Sequence, residues 1–112
     1  MTTFVVCEDW GEYDMYSRTL IGVAFHELDA HKLATHREIL IFRFEGEGRS
    51  VPTEILTVAQ ARDRVRYWQA MVKAGHGTEQ DLTKAKATLG ALHQRLNAME
   101  HERTLARVLD QS

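Results

Sequence analysis

The densest group of side chains with chemical potential lies between residues 8 and 18, EDWGEYDMYSR. Carboxylates alternate here with aromatic rings, and the candidate partner-binding residues are Glu8, Asp9, Trp10, Glu12, Tyr13, Asp14 and Tyr16. Aromatic side chains are enriched where proteins meet partners, and carboxylates steer such a segment toward a basic surface. The alternative is a loop whose rings fold back onto a sheet with their polar ends in water.

Six histidines raise the question of a metal site, but their spacing argues against one. His26, His31 and His36 recur every five residues, which fans their side chains around a helix instead of placing them on one face. The second histidine of HELDAH comes one position too late for the HExxH pattern of zinc proteases. The sequence therefore predicts neither a metal nor another cofactor.

The sequence contains no pattern typical of nucleophilic catalysis. Cys7, the single cysteine, ends the apolar run FVVC, which favours a small buried side chain over a reactive thiol. One cysteine also excludes an intrachain disulfide. A nucleophile-elbow motif is absent, so we expect a protein that is not an enzyme.

The glycine-containing stretch KAGHGTEQDL, residues 73–82, has two interpretations. A phosphate-binding loop normally follows a strand and supplies a lysine or more glycines, whereas this stretch follows a helical pattern. Gly75 fits the left-handed position that closes a helix, and Thr78 fits the N-cap of the next one. We therefore predict a corner between two helices, with His76 exposed.

Positive charge recurs along the predicted helices, at the positions Arg62, Arg66, Lys73 and Lys84. Such a stripe could bind a phosphate backbone, with Tyr67 stacked on a base. The alternative is a solvated face opposite an apolar seam. The sequence pI of about 6.3 is low for a nucleic-acid-binding domain, so nucleic acid is the less favoured partner.

The first half of the chain predicts a small sheet. Residues 3–10 and 19–25 are rich in β-branched and aromatic residues, and residues 38–45, EILIFRFE, form the most strand-like run. Residues 26–37 have the weak pattern of a short helix. The predicted order is β-β-α-β, with a three-stranded sheet and an unusually long connection between the first two strands.

The second half predicts two helices, residues 57–74 and 79–109, because apolar residues recur there at alternating steps of three and four. The first stripe is Val58, Ala61, Val65, Trp68 and Val72, and the second is Leu82, Ala85, Leu89, Leu92, Leu96 and Met99. Thr57 with Gln60 and Thr78 with Asp81 have capping-box spacing. The expected fold class is α+β, a sheet followed by an antiparallel helical hairpin.

The second predicted helix is longer than the first, by roughly 19 Å at 1.5 Å per residue. Its last apolar residues, Leu105, Val108 and Leu109, lie on a rotated face. Two outcomes are open for these residues: packing under the sheet of the same chain, or burial against a second copy as a homodimer interface.

Size and composition indicate one domain of 112 residues, with 44% apolar and 27% charged residues. Residues 1–56 contain ten acidic residues against five Lys and Arg, net −5, and residues 57–112 contain six against nine, net +3. The two halves therefore offer different surfaces. No apolar stretch approaches the ~18 residues of a membrane span, and we expect a cytosolic protein without membrane contact.

The N-terminal ~35 residues resemble small phage-encoded accessory proteins, through the strand TFVVCED, the loop WGEYDMYSR, the strand LIGVAF and the brief helix HELDAHKLATH. Some members of that group are similar to inhibitors of bacterial defence systems that occupy a host protein's surface. The resemblance implies a binding role and no catalytic residue. The expected function is a protein-binding accessory or inhibitor of a nucleic-acid-handling complex; the alternative is a nucleic-acid-binding or regulatory protein.

Overall fold

The computed structural model describes residues 1–9, 18–46 and 51–111, which form an α+β fold. In chain order its elements are β1 (Thr2–Asp9), β2 (Arg18–Ala24), α1 (Glu27–Leu33), β3 (Ile39–Glu45), β4 (Thr53–Ile55), α2 (Val58–Lys73) and α3 (Glu79–Asp110). The chain divides into two compact units, Met1–Asp63 and Arg64–Ser112. None of the helices in the described ranges has the length and apolar character needed to cross a membrane.

The sheet is antiparallel and four-stranded, in the order β2-β1-β3-β4. The prediction of three strands is wrong, because Thr53–Ile55 pairs with β3 as a fourth strand. These three residues follow Pro52 and carry no strand pattern long enough to recognise. Their strand conformation is evident only from pairing with a segment about ten residues earlier in the chain.

The core of the first unit lies on one face of the sheet. Phe4 and Val6 of β1 and Ile39 and Ile41 of β3 are buried there, and Ala30 of α1 packs against them. Alternation along a strand turns every second side chain to the same face, which is why these residues share a core. Small alanines in and after α1 let this short helix lie close to the sheet.

Helix α1 is shorter than predicted, ending at Leu33 instead of residue 37. His26 caps its start, since Nδ1 of His26 accepts a hydrogen bond of 3.1 Å from the Leu28 amide. At Ala34 the backbone leaves the helical region, with φ −87° and ψ 71°. Residues 35–38 then turn the chain into β3.

The two later helices begin and end as predicted, within one residue. At the start of α2 the Gln60 amide donates to Oγ1 of Thr57, and the Thr57 amide donates to Oε1 of Gln60, both at 3.1 Å. Thr78 and Asp81 form the same reciprocal capping box at the start of α3. Both predicted capping boxes are therefore confirmed.

The corner between α2 and α3 is a helix-ending turn, as predicted. Gly75 has a φ of +79°, the left-handed conformation that closes helices at low cost only for glycine. The His76 amide donates to the Met71 carbonyl at 2.9 Å, and the Gly75 amide to the Val72 carbonyl at 3.1 Å, which is the Schellman pattern. His76 is exposed.

Solvent shielding follows the predicted stripes on both helices. In α2 the stripe residues are all at least half-buried, and in α3 Ala85 and Leu92 are buried while the other stripe residues are half-buried. Gly77 packs closely against the end of α2. A Cβ atom at this position would lie only 3.1 Å from Met71 and 3.2 Å from Trp68. The shielding agrees with an amphipathic character for each helix.

Candidate interaction surface

The strand β2 and the residue directly after it carry the largest group of exposed apolar side chains described in the first unit. Leu20, Val23 and Phe25 are 63, 51 and 70% exposed, and Ile21 is exposed as well. We name these four residues the apolar edge. β2 is the outermost strand of the sheet, with β1 on one side and no strand on the other within the described residues. Contiguous exposed apolar surface of this kind marks interaction sites.

An irregularity in strand pairing places Leu20 and Val23 on the side of the sheet away from α1. The register between β1 and β2 shifts between Val6 and Cys7, so that Val23 lies opposite Val5 and Leu20 lies opposite Cys7. Val5 and Cys7 alternate with the core residues and therefore face away from the core. The shift lets two β2 residues three positions apart share this face.

Further side chains lie beside β2 on both faces of the sheet. Leu33 of α1 is exposed and lies over Gly22, where a Cβ atom would be only 3.1 Å from the Leu33 Cδ1 atom. On the opposite face, the Arg18 guanidinium lies 5.2 Å from the centre of the Phe42 ring, a cation–π distance. Arg18 is thus held over the sheet at the start of β2.

The predicted partner-binding loop lies mostly outside the described residues: Trp10, Glu12, Tyr13, Asp14 and Tyr16 all do. Glu8 and Asp9 are described, and both lie at the end of β1, opposite Thr19 and Arg18. Each is half-buried. The segment therefore begins and ends on two neighbouring strands, and its second end leads directly into the apolar edge.

A network of charged groups surrounds the end of β1. His36 lies between two carboxylates, with Nε2 3.7 Å from Glu8 and Nδ1 3.0 Å from Glu38. Arg37 forms two ion pairs: its Nε atom lies 2.9 Å from Glu38, and its Nη1 atom lies 3.3 Å from Asp63. The hydrogen bond from Arg37, followed by that from His36, lowers the pKa of Glu38 from 4.5 to about 2.

Cys7 is buried, as the sequence predicted. Burial raises the pKa of its thiol, with the positive charge of Arg18 opposing that effect. A thiol with a raised pKa holds little thiolate at neutral pH and is a poor nucleophile. Within the described ranges, His, Cys, Asp and Glu side chains form no group of three that could bind a metal ion.

The alternative nucleic-acid-binding residues Arg62, Arg66, Lys73 and Lys84 are all exposed. The first three follow one another along α2 at steps of four and seven residues, which places them on one side of that helix. Tyr67 is exposed and packs edge-on against Trp68, with ring centres 5.1 Å apart. This stripe is available to solvent and uninterrupted by an acidic residue on the same side.

The last apolar residues of the long helix α3 are exposed. Leu105, Val108 and Leu109 are each at least half exposed. Packing of these residues under the sheet and their burial against a second copy both stay predictions.

Sequence reasoning did not identify the apolar edge as a candidate site. The signal was present, because RTLIGVA is apolar at both odd and even positions and has no acid, lysine or proline. A strand apolar on both faces is equally typical of the middle of a sheet, and only the strand order reveals that β2 is at the edge. No protein-family model, curated protein or solved structure matches the chain, so its own residues carry the functional assignment.

Proposed function

We propose that this protein is a protein-binding module whose contact surface is the apolar edge together with the acidic-aromatic segment that leads into it. The observation that carries the proposal is the exposure of Leu20 and Val23 on an outermost strand and of Phe25 directly after it. A partner that covers these side chains would gain about 25 cal/mol of binding free energy for every Å² of apolar surface removed from water.

The charge beside this surface favours a partner with basic groups. Glu8 and Asp9 stand where the acidic segment leaves β1, and residues 8–14 contain four carboxylates. Carboxylates next to an apolar contact increase the association rate with a basic partner and disfavour acidic ones. The specific form of the proposal is an accessory or inhibitor protein that occupies the basic surface of a nucleic-acid-handling complex.

The experiment compares three forms of the purified protein immobilised on resin and exposed to bacterial lysate: the wild type, Val23→Lys and Val51→Lys. Val51 is 89% exposed in the same unit, so the second variant controls for an added lysine. We expect proteins retained by the wild type and by Val51→Lys to be lost from Val23→Lys. Identical retention by all three forms, or no retention by any, would contradict the proposal.

Binding to nucleic acid through α2 is the second candidate function, supported by the exposure of Arg62, Arg66 and Lys73 along one side of the helix. A gel-shift titration at two salt concentrations tests it, because phosphate contacts make affinity fall with salt. Salt-sensitive binding that Arg62→Glu with Arg66→Glu abolishes would favour this function over protein binding.

A further inference from the structure

The apolar residues of α3 change face near the end of the helix. The predicted stripe from Leu82 to Met99 is buried or half-buried, whereas Leu105 and Val108 are 50 and 57% exposed. At about 100° per residue, these two side chains lie roughly opposite Leu92 on the helix. They therefore do not continue the stripe and belong to a second face of α3.

A second heptad repeat runs along this face. Its residues recur at alternating steps of four and three, and all of them are exposed on a helix that is described over its whole length: Ala87, Ala91, Gln94, Ala98, His101, Leu105 and Val108. We name these seven residues the outer row. None is Lys, Arg, Asp or Glu, although α3 contains ten such residues. A solvated helix face normally carries charge, so an uncharged heptad row that ends in exposed large apolar residues indicates contact with another helix.

The outer row is unequal along its length, which determines how a second copy can pack on it. Ala87 and Ala91 at its start are small, and Leu105 and Val108 at its end are large. Packed helix axes lie ~8–10 Å apart, depending on the side chains between them. A parallel second copy would place large residues against large at one end and small against small at the other, so the axes would diverge. An antiparallel copy places large against small at both ends and keeps the separation constant.

The polar residues of the outer row also match in the antiparallel arrangement. With a two-fold axis near Ala98, Gln94 faces His101 of the second copy, and this contact occurs twice. Each of these side chains can both donate and accept a hydrogen bond. A polar pair at heptad positions fixes the register of two helices, because a shifted register leaves the polar groups against apolar ones.

Charges beside the outer row are complementary as well. Arg95 and Glu102 are exposed, and they lie seven residues apart on the same side of the row. Equal sides meet in an antiparallel pair, so Arg95 of each copy lies opposite Glu102 of the other. Arg95 already has a partner within its own chain, and its five N–H donors leave capacity for a second carboxylate.

We infer that two copies of this chain associate through antiparallel packing of their outer rows about a two-fold axis near Ala98. The outer row contains no residue of the apolar edge, so the inference goes beyond the proposed function and does not depend on it. A two-fold contact closes after two copies and does not extend into a filament. The pair carries two apolar edges, an arrangement that raises avidity for a target with repeated sites.

Sedimentation equilibrium of the full chain tests the inference with two alanine-to-glutamate variants, Ala98→Glu in the outer row and Ala106→Glu outside it. Both alanines are exposed in α3, and both residue types favour a helix. One helix face is a small interface, so the concentrations extend to about 500 μM. We expect a dimer for the wild type, Ala106→Glu and Val23→Lys, and at least tenfold weaker association for Ala98→Glu. A monomeric wild type, an unchanged Ala98→Glu dimer, or a dimer lost in either control variant would overturn the inference.

Charge reversal tests the orientation of the pair. Arg95→Glu and Glu102→Arg each bring like charges together twice, and each should weaken association by about threefold or more, as expected for two exposed ion pairs. The double variant restores opposite charges and should associate within about twofold of the wild type. A double variant no stronger than the weaker single variant would contradict the antiparallel arrangement.

Disulfide formation gives a second measure of orientation. Ala98→Cys lies near the axis and should form a disulfide-linked dimer on oxidation. The two Cα atoms of Val108→Cys lie roughly 30 Å apart in the antiparallel pair, so that variant should not cross-link. The wild type is the control, because its single cysteine, Cys7, is buried. Equal cross-linking of the two variants, including none in either, would contradict the inference.

The outcomes separate this inference from the proposed function. A monomeric wild type that captures proteins in a manner abolished by Val23→Lys would overturn the dimer and support the protein-binding function. A dimer weakened by Ala98→Glu, with protein capture that Val23→Lys does not change, would support the dimer and contradict the function proposed for the apolar edge.

Discussion

The two compact units bury apolar residues in different ways. In Met1–Asp63, Val6 and Ile41 are completely buried by strands and a helix that are distant in the sequence. In Arg64–Ser112, only Ala85 and Leu92 of the described residues are buried, and the remaining stripe residues are half-buried. The sheet unit thus has a core of completely buried side chains, whereas few described residues of the helical unit are buried.

This difference suggests separate roles. A unit with a dense core can tolerate an exposed apolar strand at its edge without unfolding, because its stability comes from the other face of the sheet. A unit in which only two of the described residues are buried has few apolar residues to spare. The following changes test that contrast, beginning with the one expected to cost the most free energy of unfolding.

The largest effect is expected for Ile41→Ala. Ile41 is 0% exposed and lies on β3 between β1 and β4, so the change removes buried methyl groups and leaves a cavity. We expect a loss of about 4 kcal/mol in the free energy of unfolding, measured by urea denaturation. Val51→Ala, at an exposed site, should cost less than about 0.5 kcal/mol. A loss below about 1 kcal/mol for Ile41→Ala would contradict the dense core.

A smaller loss is expected for Leu92→Ala in α3. Leu92 is 6% exposed, but it belongs to a unit with few buried residues, where neighbours can move inward, so we expect about 2.5 kcal/mol by the same measurement. Leu105→Ala, on the exposed end of the helix, is the matched control and should cost under about 1 kcal/mol.

The pairing of α2 with α3 as an antiparallel hairpin is tested by combining Val65→Ala with Leu92→Ala. If the two side chains pack together, their effects are non-additive by about 0.5 kcal/mol or more. Additive effects would instead indicate that each stripe is covered by other residues, and the predicted hairpin would be wrong.

Two glycines in the helical unit should respond to alanine with opposite signs. Gly75→Ala forces a left-handed conformation on a residue with a side chain and should destabilise the protein by about 1 kcal/mol. Gly90→Ala, inside α3 with open space around it, should stabilise it by about 0.8 kcal/mol. Thermal unfolding checks both, and an unchanged or raised stability of Gly75→Ala would show that the corner does not depend on the glycine conformation.

The smallest effect on stability is expected for Glu38, which directly precedes β3. Its pKa is lowered to about 2 in the folded protein, so it contributes stability above pH 4.5 that is lost as the pH falls toward 2. Glu38→Gln should remove that part of the pH dependence. Arg37→Gln, which deletes the main cause of the shift, should do the same. A stability profile between pH 2 and 5 that neither variant changes would contradict this assignment.

The bounds and caps of the two later helices could be predicted from the sequence, whereas their packing as a hairpin stays a prediction. The bounds of α2 and α3, both capping boxes, the Gly75 turn and the shielded stripes depend on residues within five positions of one another, so periodicity and turn chemistry suffice to predict them. The burial of Cys7 followed equally from its apolar neighbours.

The strand order, the fourth strand and the exposure of Leu20, Val23 and Phe25 became apparent only in the folded chain. These properties depend on which strand lies beside which, and strand partners are far apart in the chain. An apolar strand has the same sequence pattern whether it is central or outermost in the sheet. The side-chain types indicate that the strand favours burial, but they do not indicate which neighbour buries it. The candidate interaction surface was therefore hidden in the sequence until β2 was found at the edge of the sheet.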